Sequence, residues 1–364
     1  MNFYPVLREL LFRIEPEQAH HFIFNTAKCF QAAVLPLPVI RSMYRFDSER
    51  LVSHRFGLRF PNPVGLAAGF DKNGEIVNFM ASLGFGFLEI GSVTNLPSEG
   101  NPAPRLFRLP EDRALINRMG LNNKGPDAVL ANLRRQRPSI PVGINIAKSN
   151  RPDVVGSDAT ADMVSCYRQV AAYGDYIVLN VSCPNTKDGK TFEDPEILQG
   201  LLRQVQKSRQ EKELSAPLLV KFSSDLTLDV LEKALEVCEA ENIDGYVMVN
   251  TSGSRAGLAT RQSALDAIGA GGLSGKPLQA KALEKIAFAY RFLAGRKPIV
   301  GLGGVDSPEY AYKLIKAGAS LVQFYTAMVY HGPALCQHIN EGLDALLERE
   351  GFESIDQAIG VDSK

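Results

Sequence analysis

Cys183 stands in the run Leu179-Asn180-Val181-Ser182-Cys183-Pro184-Asn185-Thr186, directly after an apolar stretch. A thiol ionises near pH 8.5, about the mildest demand any neutral nucleophilic side chain makes, so it can take a proton without elaborate activation. The amides and hydroxyls around it suit a polar, planar substrate. The other four cysteines, Cys29, Cys166, Cys238 and Cys336, fall in helical patterns, where buried and inert thiols are the rule. The set is odd and scattered, with no CxxC pair. That argues against a zinc site or a disulfide framework and for a reducing compartment. No metal is expected.

Five asparagines add to the thiol. Asn117, Asn145, Asn180, Asn185 and Asn250 all lie in or just after short apolar runs. One asparagine in an apolar strand costs desolvation unless it is paired, and alone it is usually structural. Five at one rim fit a heterocycle with alternating C=O and N–H groups, because amides both donate and accept. Lys72 and Lys221 would place positive charge beside an electron-rich ring. Lys221, flanked by Val220 and Phe222, is the harder of the two to explain as a solvated charge. Gly271-Gly272-Leu273-Ser274-Gly275, Gly303-Gly304 and Tyr325-Thr326 can present backbone N–H groups to a phosphate, with the first read as leading into a helix. Together they suggest a mononucleotide-like cofactor.

These residues need elements to hold them. From residue 62 onward, apolar runs alternate with helical patterns: Pro63–Gly69, Phe85–Thr94, Val142–Ala147, Tyr176–Ser182, Pro217–Ser223, Gly245–Thr251, Pro298–Gly303 and Leu321–Val329. Continuous apolar runs are expected of parallel strands buried on both faces. Helices are predicted over Ala159–Tyr173, Pro195–Gln210, Thr227–Glu241, Pro277–Leu293 and Ser307–Ala317, with Asp158, Asp194, Asp225 and Asp306 as N-caps or first-turn carboxylates. The pattern predicts an α/β fold, a (β/α)8 TIM barrel with an N-terminal helical extension. In such a barrel, function collects at the C-terminal ends of the strands, which is where the residues above fall. An open doubly wound sheet would carry GxGxxG after its first strand, and none is present.

The expected divisions are an amphipathic helical extension at 1–40, a linker with a short hairpin at 41–61, the barrel at 62–350 and a tail at 351–364. In the extension, Phe3, Tyr4, Leu7, Leu10, Leu11 and Ile14 share a helical face, and a second helix follows Pro16. That pair suits packing on the barrel, or a membrane-surface anchor enclosing an apolar partner; the two readings are compatible. The chain has 40 Lys and Arg against 40 Asp and Glu, and no dense basic run, which disfavours nucleic acid as a partner. No secretory signal and no spanning segment of about 20 apolar residues is evident.

The chain resembles the dihydroorotate dehydrogenases over nearly its whole length. The resemblance rests on AAGFDKNGE (67–75), EIGSVT (89–94), PRLFRLPEDRALINRMGLNN (104–123), GGLSGKPL (271–278) and GLGGVDS (301–307). The N-terminal Pro16-Glu17-Gln18-Ala19-His20 is similar to the membrane-associated, quinone-using class. That resemblance implies oxidation of dihydroorotate to orotate in pyrimidine biosynthesis, FMN as cofactor, and ubiquinone or menaquinone as oxidant. It also implies a cytoplasmic enzyme held peripherally on the cytoplasmic membrane; a monomer is favoured. FMN contacts are implied for Ala68, Gly69, Lys72, Ser92, Asn117, Asn145, Asn180, Lys221, Ser274, Gly275, Gly303, Gly304, Tyr325 and Thr326. Substrate contacts are implied for Lys72, Asn117, Asn180, Asn185, Asn250 and Thr251. His20, Arg108 and Tyr325 match positions near a quinone tunnel, and Cys183 takes the place of the catalytic base.

The departures are concentrated. The quinone class usually has serine where Cys183 stands and phenylalanine where Leu121 stands; cysteine is the base of the soluble classes. The stretch 183–196 (CPNTKDGKTFEDPE) is more similar to the soluble NAD-linked class, and Ser252-Gly253-Ser254 departs from the usual threonine-led run. The alternatives are the same flavin barrel acting on another cyclic dihydro-amide, or an NAD-linked enzyme with an iron–sulfur partner subunit.

Overall fold

The computed structural model describes residues 4–33, 36–136, 138–182 and 192–363. Eight parallel strands close into a barrel: β1 (Val64–Leu66), β2 (Phe87–Val93), β3 (Val142–Ile146), β4 (Tyr176–Asn180), β5 (Leu218–Phe222), β6 (Gly245–Met248), β7 (Ile299–Leu302) and β8 (Leu321–Phe324). Each pairs with its sequence neighbours, and β8 returns to β1. All eight sequence runs therefore hold a strand, and the (β/α)8 expectation is met. Their near-continuous burial reflects helices outside and packed side chains within.

The end of the barrel opposite the chemistry is plugged. Phe60, Phe87, Tyr176, Val178, Leu219, Val247, Val300 and Leu321 form one buried apolar cluster. Phe60 comes from the hairpin Ser53–Arg55/Leu58–Phe60, which crosses this end. With this end filled by rings and branched side chains, the polar interior among the described residues lies toward the C-terminal rim.

Several local expectations change. Leu321–Val329 is not one strand: it breaks at Tyr325, and Thr326–His331 is a short helix. Gly272–Gly275 leads into a helix as expected, through the 3-10 turn Lys276–Leu278 into Gln279–Phe292, but is itself a strand. It pairs antiparallel with Ala114–Asn117, which pairs in turn with Leu106–Leu109, making a three-stranded sheet beside the rim. This sheet carries Asn117 and Ser274 to the barrel mouth. Of the four aspartates, only Asp194 caps a helix, accepting from the Glu196 and Ile197 N–H groups. Asp158 lies in a first turn. Ser307 caps in place of Asp306, and Asp225 instead accepts from Ser252, Gly253 and Lys281.

Three helices precede the barrel: α1 (Tyr4–Phe12), α2 (Pro16–Ala33) and α3 (Pro36–Tyr44). The third occupies the start of the stretch expected to be a linker. Helix α2 is clamped to the barrel by polar contacts at both ends. Arg105 donates to both carboxylate oxygens of Glu17, at 2.9 and 3.2 Å through Nε, and Lys28 pairs with Glu75. Helix α1 is tied by the Tyr4 hydroxyl to the Val329 carbonyl at 2.7 Å. Only part of the predicted apolar face is covered: Leu11 is buried, while Leu7 and Leu10 are 44 and 54 % exposed, and Val6 beside that face and Phe22 on α2 are exposed as well. Cys29, expected to be buried, is exposed on α2, whereas Cys166, Cys238 and Cys336 are buried with their thiol pKa values pushed up by desolvation. Among the described residues no single helix is long and apolar enough to cross a membrane, and no acidic, histidine or cysteine cluster could hold a metal.

Candidate active site

A polar cavity opens at the C-terminal rim. Its walls include Ala68, Gly69, Lys72, Ser92, Asn117, Asn180, Lys221, Asn250, Thr251, Ser274, Gly275, Gly303, Gly304, Tyr325 and Thr326. These are residues singled out in the sequence, gathered from seven strand ends and the three-stranded sheet. Asn145 is the exception among the described ones: it is fully buried, one layer below the cavity surface. Cys183 and Asn185 lie outside the described residues, which resume at Phe192; Ser182, the last residue before them, is buried beside Asn250.

The layer beneath the cavity is polar. Glu89 on β2 accepts from Asn145 Nδ2 on β3 at 2.7 Å, from Lys221 Nζ on β5 at 3.4 Å and from Gln323 Nε2 on β8 at 2.9 Å. Above it, Ser92 Oγ donates to Asn145 Oδ1, and Asn180 Nδ2 donates to Ser92 Oγ at 3.3 Å. Asn250 Nδ2 donates to Asn180 Oδ1 at 3.2 Å. Ser92 reaches the cavity because the β2–β3 register shifts between Ile90 and Val93. Gly91, inside that shift, has φ 106°, and a Cβ there would lie 2.4 Å from the Asn145 carbonyl oxygen, so no other residue fits.

Glycines build a second wall. Gly275, Gly303 and Gly304 have positive φ of 104°, 121° and 76°. A Cβ on Gly275 would lie 2.5 Å from the Arg113 carbonyl oxygen, and one on Gly304 3.0 Å from that of Gly275. The result is a concave stretch of bare backbone, the surface that close approach of a phosphate requires. Thr326 Oγ1 donates to Ser274 Oγ at 2.8 Å on its edge. Thr251 Oγ1, buried at the cavity wall, has no hydrogen-bond partner among the described residues. An orphaned hydroxyl in a cavity is a donor and acceptor held for a ligand.

Lys72 makes no hydrogen bond or ion pair among the described residues, so its ammonium is free for an anion. Burial lowers its pKa to about 8, helped by the nearby Arg105 guanidinium and opposed by Glu17 and Asp71. The sign is clear for an anionic substrate: the lysine is charged below pH ~8 and loses its charge above it. The KM for such a substrate should rise by about tenfold per pH unit well above this value. A Lys72→Met variant should bind poorly at every pH and lack that alkaline limb; steady-state kinetics across pH measures it.

A second, apolar cavity of about 950 Å³ lies between the N-terminal helices and the barrel, lined by Leu7, Leu11, Ala19, Ile23, Ala27, Met80, Arg108 and Met328 among others. His20, Leu106, Leu115 and Tyr325 line both cavities. Phe70 stacks edge-on to His20 and Tyr325, with ring centroids 5.2 and 5.5 Å apart. Burial, with Lys72 nearby, drops the His20 pKa to about 3, and burial raises that of Tyr325 to about 12. The partition between the cavities is therefore uncharged at neutral pH. Arg108 is held at the side of the apolar cavity by the Ile14 carbonyl, 2.8 Å away, with its guanidinium 4.8 Å from the Phe12 ring centroid.

The family model for dihydroorotate dehydrogenase matches residues 50–347. The chain belongs to the dihydroorotate dehydrogenase family. Relatives named dihydroorotate dehydrogenase (quinone) include that of Natronomonas pharaonis, 43 % identical over the full length of both chains. That of Halobacterium salinarum is 42 % identical, covering 99 % of each. Among solved structures, DHODH of Eimeria tenella in complex with ferulenol superposes with a TM-score of 0.86 at 32 % identity, covering 96 % of each chain. This chain is accordingly an oxidoreductase of the quinone type within that family. The match to these relatives extends through the N-terminal helices, so the departures at Cys183 and Ser252–Ser254 sit within an otherwise quinone-type chain.

Sequence reasoning missed Glu89 and Gln323. Both interrupt apolar strands, in FLEIGSV and LVQF, and a charged or amide side chain in a fully buried run is itself a signal. It also missed the Glu17–Arg105 clamp, whose partners are 88 residues apart.

Proposed function

We propose that this enzyme oxidises dihydroorotate to orotate with FMN as cofactor, and that a quinone is the final oxidant. The observation that carries this reading is the pair of cavities sharing one uncharged aromatic wall: a polar one fit for a flavin and a dihydropyrimidine, and an apolar one fit for a quinone. The residues present suit FMN. The glycine cradle of Gly275, Gly303 and Gly304 would take its phosphate, Lys221, Asn180 and Ser92 would face its ring system and ribityl chain, and the Thr251 hydroxyl would be left to the substrate. Bound there, FMN would supply a two-electron acceptor for hydride and a donor to quinone.

The chain's own residues do the rest. Lys72 would bind the substrate carboxylate, while Asn117, Asn180, Asn185 and Asn250 hold the ring amides in one orientation, which lowers the entropy cost of reaction. Cys183, as thiolate, would take the C5 proton as hydride leaves C6; the products are orotate and the protonated thiol. Helices α1 and α2 would enclose the quinone, with Arg108 and the neutral His20 offering hydrogen bonds to its oxygens. Their exposed Val6, Leu10 and Phe22 suit a membrane surface, where quinones dissolve.

Steady-state turnover of dihydroorotate with ubiquinone, menaquinone and NAD⁺ tests the oxidant. Turnover with quinones and none with NAD⁺ is expected; NAD⁺ turnover would assign the enzyme to the partner-dependent alternative.

A further inference from the structure

The hydrogen bonds under the cavity have a direction, and one residue sets it. We propose that Glu89 is a positioning residue: it anchors the Lys221 ammonium from below and fixes the polarity of the amide relay that runs from Asn145 to Asn250. This rests on the flavin reading above.

Glu89 is 1 % exposed and lies beneath the cavity rather than on its wall. A carboxylate can only accept hydrogen bonds. Asn145 must therefore turn its NH2 toward Glu89, at 2.7 Å, and its carbonyl oxygen toward Ser92. Ser92 must then donate its one proton downward and accept from Asn180 Nδ2. Asn180 is left with its oxygen free to accept from Asn250 Nδ2. Asn145 and Asn180 could each be reversed in isolation, whereas Asn250 is also oriented by the Thr251 N–H, which donates to its Oδ1 at 2.8 Å. With an acceptor-only group at the base, neither Asn145 nor Asn180 can be reversed, and the pattern offered to a planar ligand is single-valued.

The same carboxylate balances a charge. Lys221 lines the cavity and, like Glu89, is almost wholly buried. Of the groups around it, Glu89 supplies the anion. Tyr176, the other titratable group near Glu89, donates its hydroxyl to the Leu88 carbonyl at 3.1 Å, and burial raises its pKa well above the ordinary value, so it stays neutral. Gln323 donates to the second oxygen of Glu89 while its own Oε1 has no partner among the described residues. An amide left half-satisfied in order to hold a carboxylate shows where the network is anchored.

Glu89→Gln keeps the shape but removes the charge and the acceptor-only base. A buried ammonium without its anion surrenders its proton readily. The test is titration of apoprotein with FMN, followed by flavin fluorescence, from about pH 6 to about pH 9. The FMN phosphate ionises near pH 6 in either protein, so the ratio of affinities isolates the variant's effect. That ratio should widen by roughly tenfold or more across the range, with Glu89→Asp falling between the two. Should Glu89→Gln fail to fold, Glu89→Gln with Lys221→Met should fold, because both buried charges are then gone. Parallel affinity profiles, or a double variant that folds no better than a misfolded single one, would overturn the role of Glu89. Absence of FMN binding by the wild type would instead overturn the flavin reading.

Discussion

Replacing Cys183 with alanine should lower the rate of flavin reduction by dihydroorotate by about 10³-fold, within the range of general-base contributions, with FMN still bound. The reason is chemical balance under the proposed mechanism: loss of hydride from C6 has to be matched by loss of the C5 proton, and among the residues singled out in the sequence the thiol is the one suited to take it. The visible flavin band should be unchanged in the resting variant, because the proposed mechanism gives Cys183 no part in holding the cofactor. Cys183→Ser should retain a slower reaction that demands higher pH, since a hydroxyl gives up its proton far less readily than a thiol. The wild-type rate should climb as the thiol ionises, while Lys72 loses its charge above pH ~8. The two trends oppose each other, so kcat/KM should pass through a maximum as pH rises. Rapid-mixing kinetics on the purified variants measures these rates; an unchanged rate in the alanine variant would remove Cys183 from the mechanism.

Filling the apolar cavity should do the opposite. Ile23 on α2 lines it, at a distance from the polar cavity's wall. Ile23→Trp places a large ring in the space between α2 and the barrel. With about 950 Å³ available, the ring is accommodated without forcing the core apart. Reduction by dihydroorotate should be nearly unchanged, whereas KM for quinone should rise by about tenfold or more, the signature of lost binding at one site only. Equal loss in both half-reactions would mean that the cavity serves packing alone.

The barrel was legible because its strands are continuous apolar runs with polar residues at one end, a pattern that burial on both faces imposes. The wall residues were legible for the same reason: Asn180, Lys221 and Asn250 sit where apolar runs stop. The local errors have physical causes. Gly272–Gly275 reads as a phosphate loop from composition, and its pairing with Ala114–Asn117 depends on a partner about 155 residues away. Ser307 outcompeted Asp306 as a cap because capping is decided by backbone geometry at one position, which two adjacent polar residues do not reveal. The helix Pro36–Tyr44 lies between prolines and polar residues that suggest a linker. Glu89 was passed over because its value lies in three partners on three other strands, a convergence visible only once the barrel closes.

The most direct test of the account is a two-step anaerobic experiment on the purified holoenzyme. Dihydroorotate is added first and a quinone second, with the flavin absorbance followed throughout. Dihydroorotate should bleach the flavin, and ubiquinone or menaquinone should restore its colour in full. Failure of dihydroorotate to bleach the flavin would contradict the substrate, and a bleached flavin that quinones do not reoxidise would contradict the role of the apolar cavity.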